Sequence, residues 1–429
     1  MVRKAVTLEE MLSARERRAR IQEELLAKYG KPLVSFTMNI PGEYKYDALI
    51  EYAFRAGLQR LTEAAGEPAA QTVLAENTGC EAFMVFDAPA EELKAKAVEI
   101  EERAPFGRAY DIDIIGTDGA KLSRAVSRKC YVCGEPVFEC SRSRAHGLDE
   151  IVAACRGLLE RAAASELARR AVEALKAEAR LTPKPGLVDS ANSGAHSDMD
   201  LALLLKSADA LEPYFKKAAE LGLEFGRKAA GQEASAAKPE AALDIFARAG
   251  SALQQEGLKA EAAMFKATGG VNTHKGAVFS LGILCCAKAA ELQGAGDCFG
   301  IASKIAAGTV KSTAATHGNL VAEKLGARGA RQQAVDGFPL VNEALGVLRS
   351  GAGELDALLL LMSKAEDTNL LWRGGAEGLT YVREESKRIM AQPKEQRPEL
   401  LKAMDKECIK RRLSPGGCAD LLACAIFLK

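Results

Sequence analysis

The residue pattern of the chain changes near position 150, and this change constrains the fold more than any other feature of the sequence. Before it, short runs rich in β-branched and aromatic residues, at 32–40, 81–86 and 109–115, are separated by turn-forming residues and by helical stretches. After it, Ala, Leu, Glu and Lys dominate, and apolar residues recur at helical spacing. The sequence therefore predicts an α/β N-terminal domain and an all-α C-terminal domain.

The join between the two halves also has a helical pattern. Residues 148–180 lack the composition of a flexible linker, and no fixed-period repeat is visible in the chain. A chain of 429 residues is too long for one ordinary hydrophobic core, so two or three domains are expected. We place the boundary near residue 165, which divides the chain into 1–165 and 166–429.

Charge and composition exclude several classes of protein. Lys plus Arg and Asp plus Glu each number 58, which gives no global electrostatic basis for binding nucleic acid or an anionic membrane. No apolar run reaches the roughly 20 residues of a membrane span, and the first residues lack the apolar core of a signal peptide. The 11 cysteines, an odd number, fit reduced thiols better than a disulfide framework. Together these features predict a cytoplasmic protein.

The best chemical signal in the N-terminal half is the pair Asp111 and Asp113. Residues i and i+2 of a strand face the same side, so both carboxylates would project together while Ile112 and Ile114 face the core. Paired carboxylates suit Mg²⁺ with substrate phosphates, although an edge strand with two solvated aspartates explains the spacing equally well. Basic residues flank the pair, as phosphoryl or nucleotidyl transfer requires. They are Arg108, Arg124, Arg128 and Lys129.

A cysteine and histidine cluster follows directly. Its spacing, Cys130-x2-Cys133-x6-Cys140-x5-His146, is compatible with a tetrahedral structural Zn²⁺ site. Alternatively, these cysteines are buried and reduced, and the neighbouring basic side chains form an anion-binding patch. The residues of that patch are Arg142, Arg144 and His146. A single CxxC pair does not decide between the two interpretations.

In the C-terminal half, residues 181–200 combine prolines, glycines and polar residues directly before an apolar run, which is typical of an active site. His196 and Asp200 are four residues apart and would share a helix face, and Asp198 is either a metal ligand or the N-cap of that helix. A cap alone does not explain the other polar residues of the run. These are Lys184, Asp189 and Asn192.

Further polar clusters precede helical stretches downstream. Each alone is typical of a helix cap, but together they indicate a phosphate- and metal-handling site assembled from several helix ends. The glycine-rich segment 269–276 is not a Walker A sequence, and its candidate residues are Asn272, His274 and Lys275. Two other segments supply Asp367, Asn369 and Arg373, and then Gly416, Gly417 and Asp420. His317, in AATHGN, lies in another run of this kind.

Through these motifs the chain resembles two known families. From about residue 166 it resembles triphosphoribosyl-dephospho-CoA synthase, through PKPGLVD, GAHSDMD, GGVNTHKGAVFSLG, EDTNLLWRGGAEGL and SPGGCADLLA. The first half resembles apo-citrate lyase phosphoribosyl-dephospho-CoA transferase, through ARERRARIQEELL, NIPG, FGRAYDIDI, KCYVCGE and CSRSRAH. This order is similar to the fused bifunctional form that makes and attaches the citrate lyase prosthetic group. Members of these families usually have a His where this chain has Ala104. They usually have a Glu in the segment where Ala330 and Arg331 stand.

The resemblance implies two consecutive reactions. ATP and dephospho-CoA, as substrates, would give triphosphoribosyl-dephospho-CoA and adenine. A nucleotidyltransferase-like N-terminal domain would then attach the phosphoribosyl-dephospho-CoA group to a serine of the citrate lyase acyl carrier subunit and release pyrophosphate. The implied partner is therefore the acyl carrier subunit, and no nucleic acid or membrane is expected as a partner.

This activity assigns roles to the candidate residues. The catalytic candidates are Asp111, Asp113, His196, His274 and Lys275. The candidate Mg²⁺ ligands are Asp111, Asp113, Asp198 and Asp200. The substrate-binding candidates are Arg108, Arg124, Arg142, Arg144, Lys184, Asn192, Asn272, Asp367, Asn369, Arg373, Gly416 and Gly417. Either His196 or His274 would orient or deprotonate the attacking ribose hydroxyl. Asp367 with Asn369 would hold adenine or a second metal.

Three other interpretations fit parts of the sequence. A related synthase serves malonate decarboxylase, and the second half alone would not separate the two, whereas the citrate-type first half favours citrate lyase. The second interpretation is a noncatalytic chaperone of the carrier protein that only binds CoA-like ligands, and the acidic clusters argue against it. The third is an all-α Mg²⁺-dependent glycohydrolase, in which water attacks the ribose.

Overall fold

The computed structural model describes residues 4–124, 127–234, 239–309 and 329–429, and elements are numbered below in chain order over these ranges. The chain divides into two units. The N-terminal unit consists of Met1–Glu166 with Leu292–Gly294, and the C-terminal unit consists of Leu167–Glu291 with Ala295–Lys429. The predicted two-domain architecture is thereby confirmed, whereas a functional boundary at residue 165 stays a prediction.

The N-terminal unit contains a small antiparallel sheet with helices. Its strands are β1 (Leu33–Met38), β2 (Ala70–Glu76), β3 (Gly79–Val85) and β4 (Tyr110–Ile115). They lie in the order β2-β3-β1-β4, so β4 is an edge strand. The helices are α1 (Leu8–Tyr29), α2 (Ala48–Ala65), α3 (Ala90–Arg103) and α4 (Val137–Ser143), with a 3₁₀ turn at Gly107–Ala109. Strand β2 was not predicted, because its burial alternates between half-buried and exposed and it lacks a strongly apolar run.

Both faces of the sheet are covered, which explains why the central strand β1 is buried throughout its first four residues. On one face, Leu33 packs with Phe83 and Ile115, and apolar residues of α1 cover this group. On the other face, the ring of Phe36 stacks on Phe54 of α2, with 4.8 Å between the ring centroids. The two layers hold β1 and its neighbour β4 in a fixed register, in which Thr37 pairs with Asp111.

The C-terminal unit is helical in all the elements that the structure describes. Helix α5 (Leu148–Arg180) begins in the N-terminal unit and continues into this one, and the helical pattern predicted for this join is confirmed. The other helices are α6 (Leu201–Ala210), α7 (Glu212–Ala234), α8 (Pro239–Thr268), α9 (Lys275–Glu291), α10 (Cys298–Ala307), α11 (Ala330–Val335), α12 (Pro339–Arg349), α13 (Glu354–Lys364), α14 (Thr368–Met390), α15 (Arg397–Lys410) and α16 (Gly416–Leu428). A 3₁₀ turn at Lys394–Gln396 precedes α15, and Gly375 interrupts α14 with a non-helical conformation.

Helix α9 lies at the centre of this unit. Twelve of its residues are buried, so it is apolar on all sides, as expected for a helix enclosed by others. Helices α7, α8, α10 and α16 pack around it. These neighbours fix the position of α9, and its first turn lies against α16.

Of the helices in the described ranges, none combines the length and the apolar composition that crossing a membrane requires.

Candidate functional site

A cleft of about 670 Å³ opens in the C-terminal unit where several helix ends meet. It brings together polar residues from all the C-terminal sequence clusters whose placement is described. Those in its wall are Glu178, Lys184, His196, Asp198, Asn272, His274, Lys275, Asp367, Asn369, Arg373, Ser414, Gly416, Gly417 and Asp420. Asn192 and Asp200 are not in this wall, and Asp200 lines an adjoining depression of about 540 Å³ with His196 and Asp198. His317 lies outside the described residues.

His196 uses both nitrogens of its imidazole. Its Nε2 lies 2.8 Å from the hydroxyl of Ser414, and its Nδ1 lies 3.4 Å from the guanidinium of Arg373. Arg373 also donates to the carbonyl oxygen of Ala195. Burial, and then the positive charge of Arg373, lower the pKa of His196. The ring is thus held through both nitrogens in the wall of the cleft, and the lowered pKa favours its neutral form.

Two predictions about the start of α6 are wrong. Residues 195–200 are not helical, so His196 and Asp200 share no helix face. The N-cap is Asp200 rather than Asp198, since Asp200 has extended backbone angles and its Oδ1 accepts the N–H of Leu203 at 2.8 Å. Asp198 keeps 61% of its side chain exposed, with Oδ1 3.7 Å from Nδ1 of His196. The helix starts two residues later than the pattern indicated.

Lys184 is buried, with 1% of its surface exposed. Its ammonium donates to the carboxylate of Glu178 at 2.5 Å and to the carbonyl oxygen of the same residue at 2.7 Å. Its backbone N–H donates to Asp189, which also accepts two N–H groups of the following turn. Glu178 escaped the sequence analysis because it stands inside the long helical pattern of α5.

Asn192 is not part of the cleft wall, and its side chain holds the loop before α6 in place. Its side-chain amide donates to Oδ2 of Asp405 at 3.0 Å, and Oδ1 of Asp405 accepts the N–H of Gly186 at 2.9 Å. Asp405 belongs to α15, more than 200 residues away in the chain. This contact gives Asn192 a structural role, and the prediction that it binds substrate stays a prediction.

His274 directly precedes α9 and is buried, with 5% of its surface exposed. Its Nδ1 lies 2.9 Å from the hydroxyl of Ser207, which lies 2.6 Å from that of Thr273. Its Nε2 is buried and has no hydrogen-bond partner among the described residues. Burial and the positive charge of Lys184 lower the pKa of His274 to about 4. The next residue, Lys275, pairs with Glu261 of α8 at 2.8 Å.

Asp367 caps two helices at once. Its Oδ1 accepts the N–H groups of Asn369 and Leu370 at the start of α14, and its Oδ2 accepts the N–H of Cys418 at the start of α16. Burial raises its pKa, while the three N–H groups act in the opposite direction. These bonds explain why a carboxylate is buried here, and they align the N-terminus of α16 with the cleft.

Asp420, the fifth residue of α16, lies against the start of α9. A Cβ atom added at Gly276 would lie 2.0 Å from Oδ2 of Asp420, so only glycine permits this approach. The carboxylate accepts the N–H of Ala277. Burial, and then the negative charges of Glu178 and Asp367, raise its pKa well above the usual range. The sequence marked Asp420 only as part of a helix start.

In the N-terminal unit, Asp111 and Asp113 lie side by side on the edge strand β4, alternating with buried Ile112 and Ile114. Their side chains are 39% and 25% exposed. Arg128 donates to Oδ1 of Asp111 at 2.7 Å, and the ammonium of Lys121 pairs with Oδ2 of Asp113. The predicted strand and its alternation are observed.

A buried glutamate on α3, Glu101, organises the basic residues beside this pair. It accepts the N–H of Ile112 at 2.9 Å and one nitrogen each of Arg124 and Arg128 at 2.6 Å. Burial raises its pKa. Arg124 also pairs with Glu102, so its guanidinium is engaged within the protein. Glu101 was not predicted from the sequence, because the acidic residues around it are typical of a helix exposed to solvent.

Like Arg124 at its Nε, Arg108 keeps buried donors without a partner among the described residues. Its guanidinium lies 3.8 Å from the centre of the Tyr131 ring, and burial lowers its pKa. Its Nε and Nη1 are buried and have no hydrogen-bond partner in the described part of the chain. Buried guanidinium donors without a partner are costly, which favours an anionic ligand at this place.

The predicted cysteine and histidine cluster is assembled. One ligand atom from each of Cys130, Cys133, Cys140 and His146 lies within 4.8 Å of the others. Sγ of Cys133 and Sγ of Cys140 are 3.3 Å apart. Nε2 of His146 is buried and has no partner among the residues described, and its Nδ1 lies 3.4 Å from the carboxylate of Glu150. Arg142 and Arg144 are exposed, outside this cluster.

Comparison with known proteins divides the chain in the same way. Residues 6–162 match the model of the apo-citrate lyase phosphoribosyl-dephospho-CoA transferase family (CitX), and residues 164–429 match that of the ATP:dephospho-CoA triphosphoribosyl transferase family (CitG). Protein CitXG of Haemophilus influenzae is 34% identical over 98% of this chain and 96% of its own length.

Other relatives match the C-terminal part. The 2-(5''-triphosphoribosyl)-3'-dephosphocoenzyme-A synthase of Haemophilus ducreyi is 36% identical over 69% of this chain and 98% of its own. A probable synthase of the same name from Stutzerimonas stutzeri is 41% identical over 62% and 91%. The resemblance seen in the sequence motifs is confirmed. The chain belongs to the ATP:dephospho-CoA triphosphoribosyl transferase family, in the form in which an apo-citrate lyase phosphoribosyl-dephospho-CoA transferase domain precedes it, as in Protein CitXG.

Proposed function

We propose that this protein is a bifunctional transferase that makes and attaches the prosthetic group of citrate lyase. The C-terminal domain joins the triphosphoribosyl part of ATP to dephospho-CoA and releases adenine. The N-terminal domain then transfers phosphoribosyl-dephospho-CoA to a serine of the citrate lyase acyl carrier subunit and releases pyrophosphate. The observation that carries this proposal is the C-terminal cleft, in which cations, histidines and carboxylates from several chain segments meet within a domain of the synthase family.

Mass spectrometry of the carrier subunit tests the whole proposal. The protein is incubated with ATP, dephospho-CoA and the citrate lyase acyl carrier subunit, and adenine is measured in parallel. We expect one adenine released for each carrier that gains the mass of phosphoribosyl-dephospho-CoA. Adenine release with ribose triphosphate as product would indicate a glycohydrolase. Equal modification of a malonate decarboxylase carrier would contradict the assignment to citrate lyase.

The synthase reaction requires an immobilised triphosphate, because the C1 atom of the ribose must face the attacking hydroxyl. Lys275 and Arg373 line the cleft, and each holds only part of its donor capacity in contacts within the protein. Lys184 adds positive charge to the cleft wall without binding the triphosphate directly, since its ammonium already pairs with Glu178. We assign Asn369 to binding of the adenine base, together with Asp367, which accepts the backbone N–H of Asn369.

Mg²⁺ would accompany the triphosphate. Asp198 offers an exposed carboxylate, and Asp200 offers Oδ2 while its Oδ1 caps α6. Two carboxylates with room for water suit Mg²⁺, which usually keeps several waters and binds substrate phosphates. When bound, the ion offsets the charge of the triphosphate, and the protein residues orient the reacting groups.

In the N-terminal domain we infer a nucleotidyltransferase-like site at Asp111 and Asp113. Arg128 and Lys121 offset the negative charge of the pair, and Mg²⁺ on the substrate phosphates would take over that role. Arg108 supplies buried donors for the pyrophosphate that leaves. The exposed Arg142 and Arg144 lie outside the sulfur cluster and are assigned to the phosphates of the dephospho-CoA part.

We also propose one structural Zn²⁺ on the sulfur cluster, bound by Cys130, Cys133, Cys140 and His146. A tetrahedral ion with Zn–S bonds of about 2.3 Å holds two sulfurs roughly 3.8 Å apart, and the 3.3 Å between Cys133 and Cys140 is close to that edge. The unpartnered Nε2 of His146 is the free ligand atom, and Glu150 on its Nδ1 provides the carboxylate that often orients a zinc-bound histidine.

Metal analysis tests the zinc assignment without reference to activity. We expect one zinc per chain, released when the thiols are blocked with a mercurial. Cys133→Ser should lower the zinc content strongly, and Cys408→Ser, a buried free cysteine of the other domain, should not. Zinc-free protein with full transferase activity would refute the assignment. None of the 11 cysteines forms a disulfide in the structure, which fits the cytoplasmic location that we propose.

A further inference from the structure

We infer that His274 and Asp420 form the acid–base pair of the synthase reaction. Nε2 of His274 accepts the proton of the attacking ribose hydroxyl, and the carboxyl group of Asp420 donates a proton to the departing adenine. This inference rests on the proposed function and deepens it. It decides between His196 and His274 as the base, and it gives a role to Asp420.

The choice of base follows from the partners of the two histidines. His196 is held through both ring nitrogens, by Ser414 and by Arg373 with Asp198 nearby. His274 is held through Nδ1 alone. Its Nε2 is buried and lacks a partner among the described residues, and His274 is one of the residues that line the cleft. With Nδ1–H donating to Ser207, Nε2 carries the lone pair that a general base needs.

The position of Asp420 follows from the packing of two helix ends. Asp420 lines the cleft from α16, and its Oδ2 lies against the Cα of Gly276 in the first turn of α9. His274 immediately precedes that turn, and its carbonyl oxygen accepts the first intrahelical N–H, from Val278. Both groups therefore border the cleft at the start of α9, where a ribose C1 could stand between base and acid.

The environments of the two groups push their proton affinities apart. Burial and Lys184 lower the pKa of His274 to about 4, so the ring is neutral near neutral pH. Burial, Glu178 and Asp367 raise the pKa of Asp420 well above its usual range, which favours the protonated form. Such a pair of titratable groups with opposite shifts is typical of an acid and a base that work in one reaction.

The step balances in atoms and electrons. The C1–O bond forms as the hydroxyl proton passes to His274, and the C1–N bond breaks with its electron pair going to adenine. Asp420 gives its proton to that adenine, which leaves neutral. The site ends with a protonated His274 and an ionised Asp420, and one proton returns from the first to the second through solvent before the next turnover.

A leaving-group experiment on the full chain tests the role of Asp420. Asp420→Asn can still accept the N–H of Ala277 but carries no acidic proton. We expect adenine release from ATP to fall by about 10² to 10⁴. Activity should stay near that of the wild type on 4-nitrophenyl riboside 5-triphosphate, whose leaving group needs no proton. Equal losses on both substrates would overturn the assignment, because a purely structural role affects both alike.

A matched control separates capping from catalysis. Asp297 also caps a helix, with its Oδ1 accepting the N–H of Gly300, and it lies outside the cleft. Asp297→Asn should leave both activities unchanged.

If Asp420→Asn fails to fold, the pH dependence of the wild-type enzyme provides a second test. Its kcat with ATP should fall at high pH as Asp420 ionises, and this decrease should be absent with the nitrophenyl substrate. A decrease common to both substrates would refute the inference.

The base is tested by His274→Asn, which keeps a polar atom near Ser207 and removes Nε2. We expect a loss of kcat on both substrates, because the hydroxyl must lose its proton in either case. If His196→Asn shows this loss and His274→Asn does not, the choice of base is wrong. If the wild type releases no adenine at all in the presence of dephospho-CoA, the proposed function fails instead, so the two failures are distinguishable.

Discussion

At the scale of single residues, burial decides which ionisable groups remain neutral, and His274 makes this measurable. Its pKa is about 4 in the fold against an ordinary 6.5, so the unfolded chain binds more protons between these values. The stability that it contributes is complete above about pH 6.5 and is lost as the pH falls toward about 4. Thermal unfolding should therefore show a smaller decrease of Tm between about pH 7 and pH 5 for His274→Asn than for the wild type. Parallel decreases would contradict the buried neutral ring.

A second prediction at this scale concerns the aspartate pair of β4. Asp111→Asn or Asp113→Asn should lower carrier modification by roughly 10² or more, the size of effect expected when one element of electrostatic stabilisation is lost. Adenine release should stay unchanged, since these residues belong to the N-terminal unit. Both activities are measured on the same preparation, and a common loss would point to misfolding.

The third prediction separates two roles of Asp200. Asn also caps helices well, so Asp200→Asn should keep the stability of the protein, whereas Asp200→Ala should cost roughly 1 kcal/mol. If Asp200 also binds Mg²⁺, then Asp200→Asn nearly abolishes adenine release despite the intact cap. A folded Asp200→Asn variant with near wild-type adenine release would limit Asp200 to its capping role.

At the scale of secondary-structure elements, close packing between helices determines where the helix ends that form the cleft lie. Gly222 of α7 faces α9, where an added Cβ would lie 2.0 Å from the carbonyl oxygen of Cys286. Gly222→Ala should therefore destabilise the protein by roughly 1–3 kcal/mol, the usual cost of overpacking. Gly231→Ala, in the same helix with no atom within 4 Å of its Cβ position, is the control and should stabilise by roughly 0.5–1 kcal/mol. Denaturant unfolding of both variants checks the difference.

The elements themselves were largely predictable from the sequence, and the exceptions have clear causes. Alternation at Asp111–Asp113 identified β4, since a period of two is a local property. Strand β2 shows no such contrast, because none of its residues is buried and its exposed positions alternate only with half-buried ones. At α6, two aspartates two residues apart are both good caps, and the backbone conformation of Asp200 decided between them.

At the scale of the whole molecule, the division into two domains predicts independent activities. The boundary near residue 165 falls inside α5, and a cut there would expose a helix interior, so the fragment should begin at residue 148. Residues 148–429 should release adenine with Mg²⁺ and dephospho-CoA. Residues 1–180, which keep α5 whole, should modify the carrier when supplied with triphosphoribosyl-dephospho-CoA. A folded C-terminal fragment without adenine release would refute the proposed division of labour.

The sequence by itself determined the change of residue pattern between the two halves, most helices and strands, and the motifs that identify the families. These depend on periodicity, capping and turn chemistry, which involve neighbouring residues. Only the tertiary structure decided which polar groups meet. Lys184 is satisfied by Glu178, Asn192 by Asp405, and Asp420 stands against the start of α9. The physical reason is that such partners lie on different elements, and Asn192 is more than 200 residues from Asp405. Their meeting depends on how apolar helix faces pack, which no local pattern encodes.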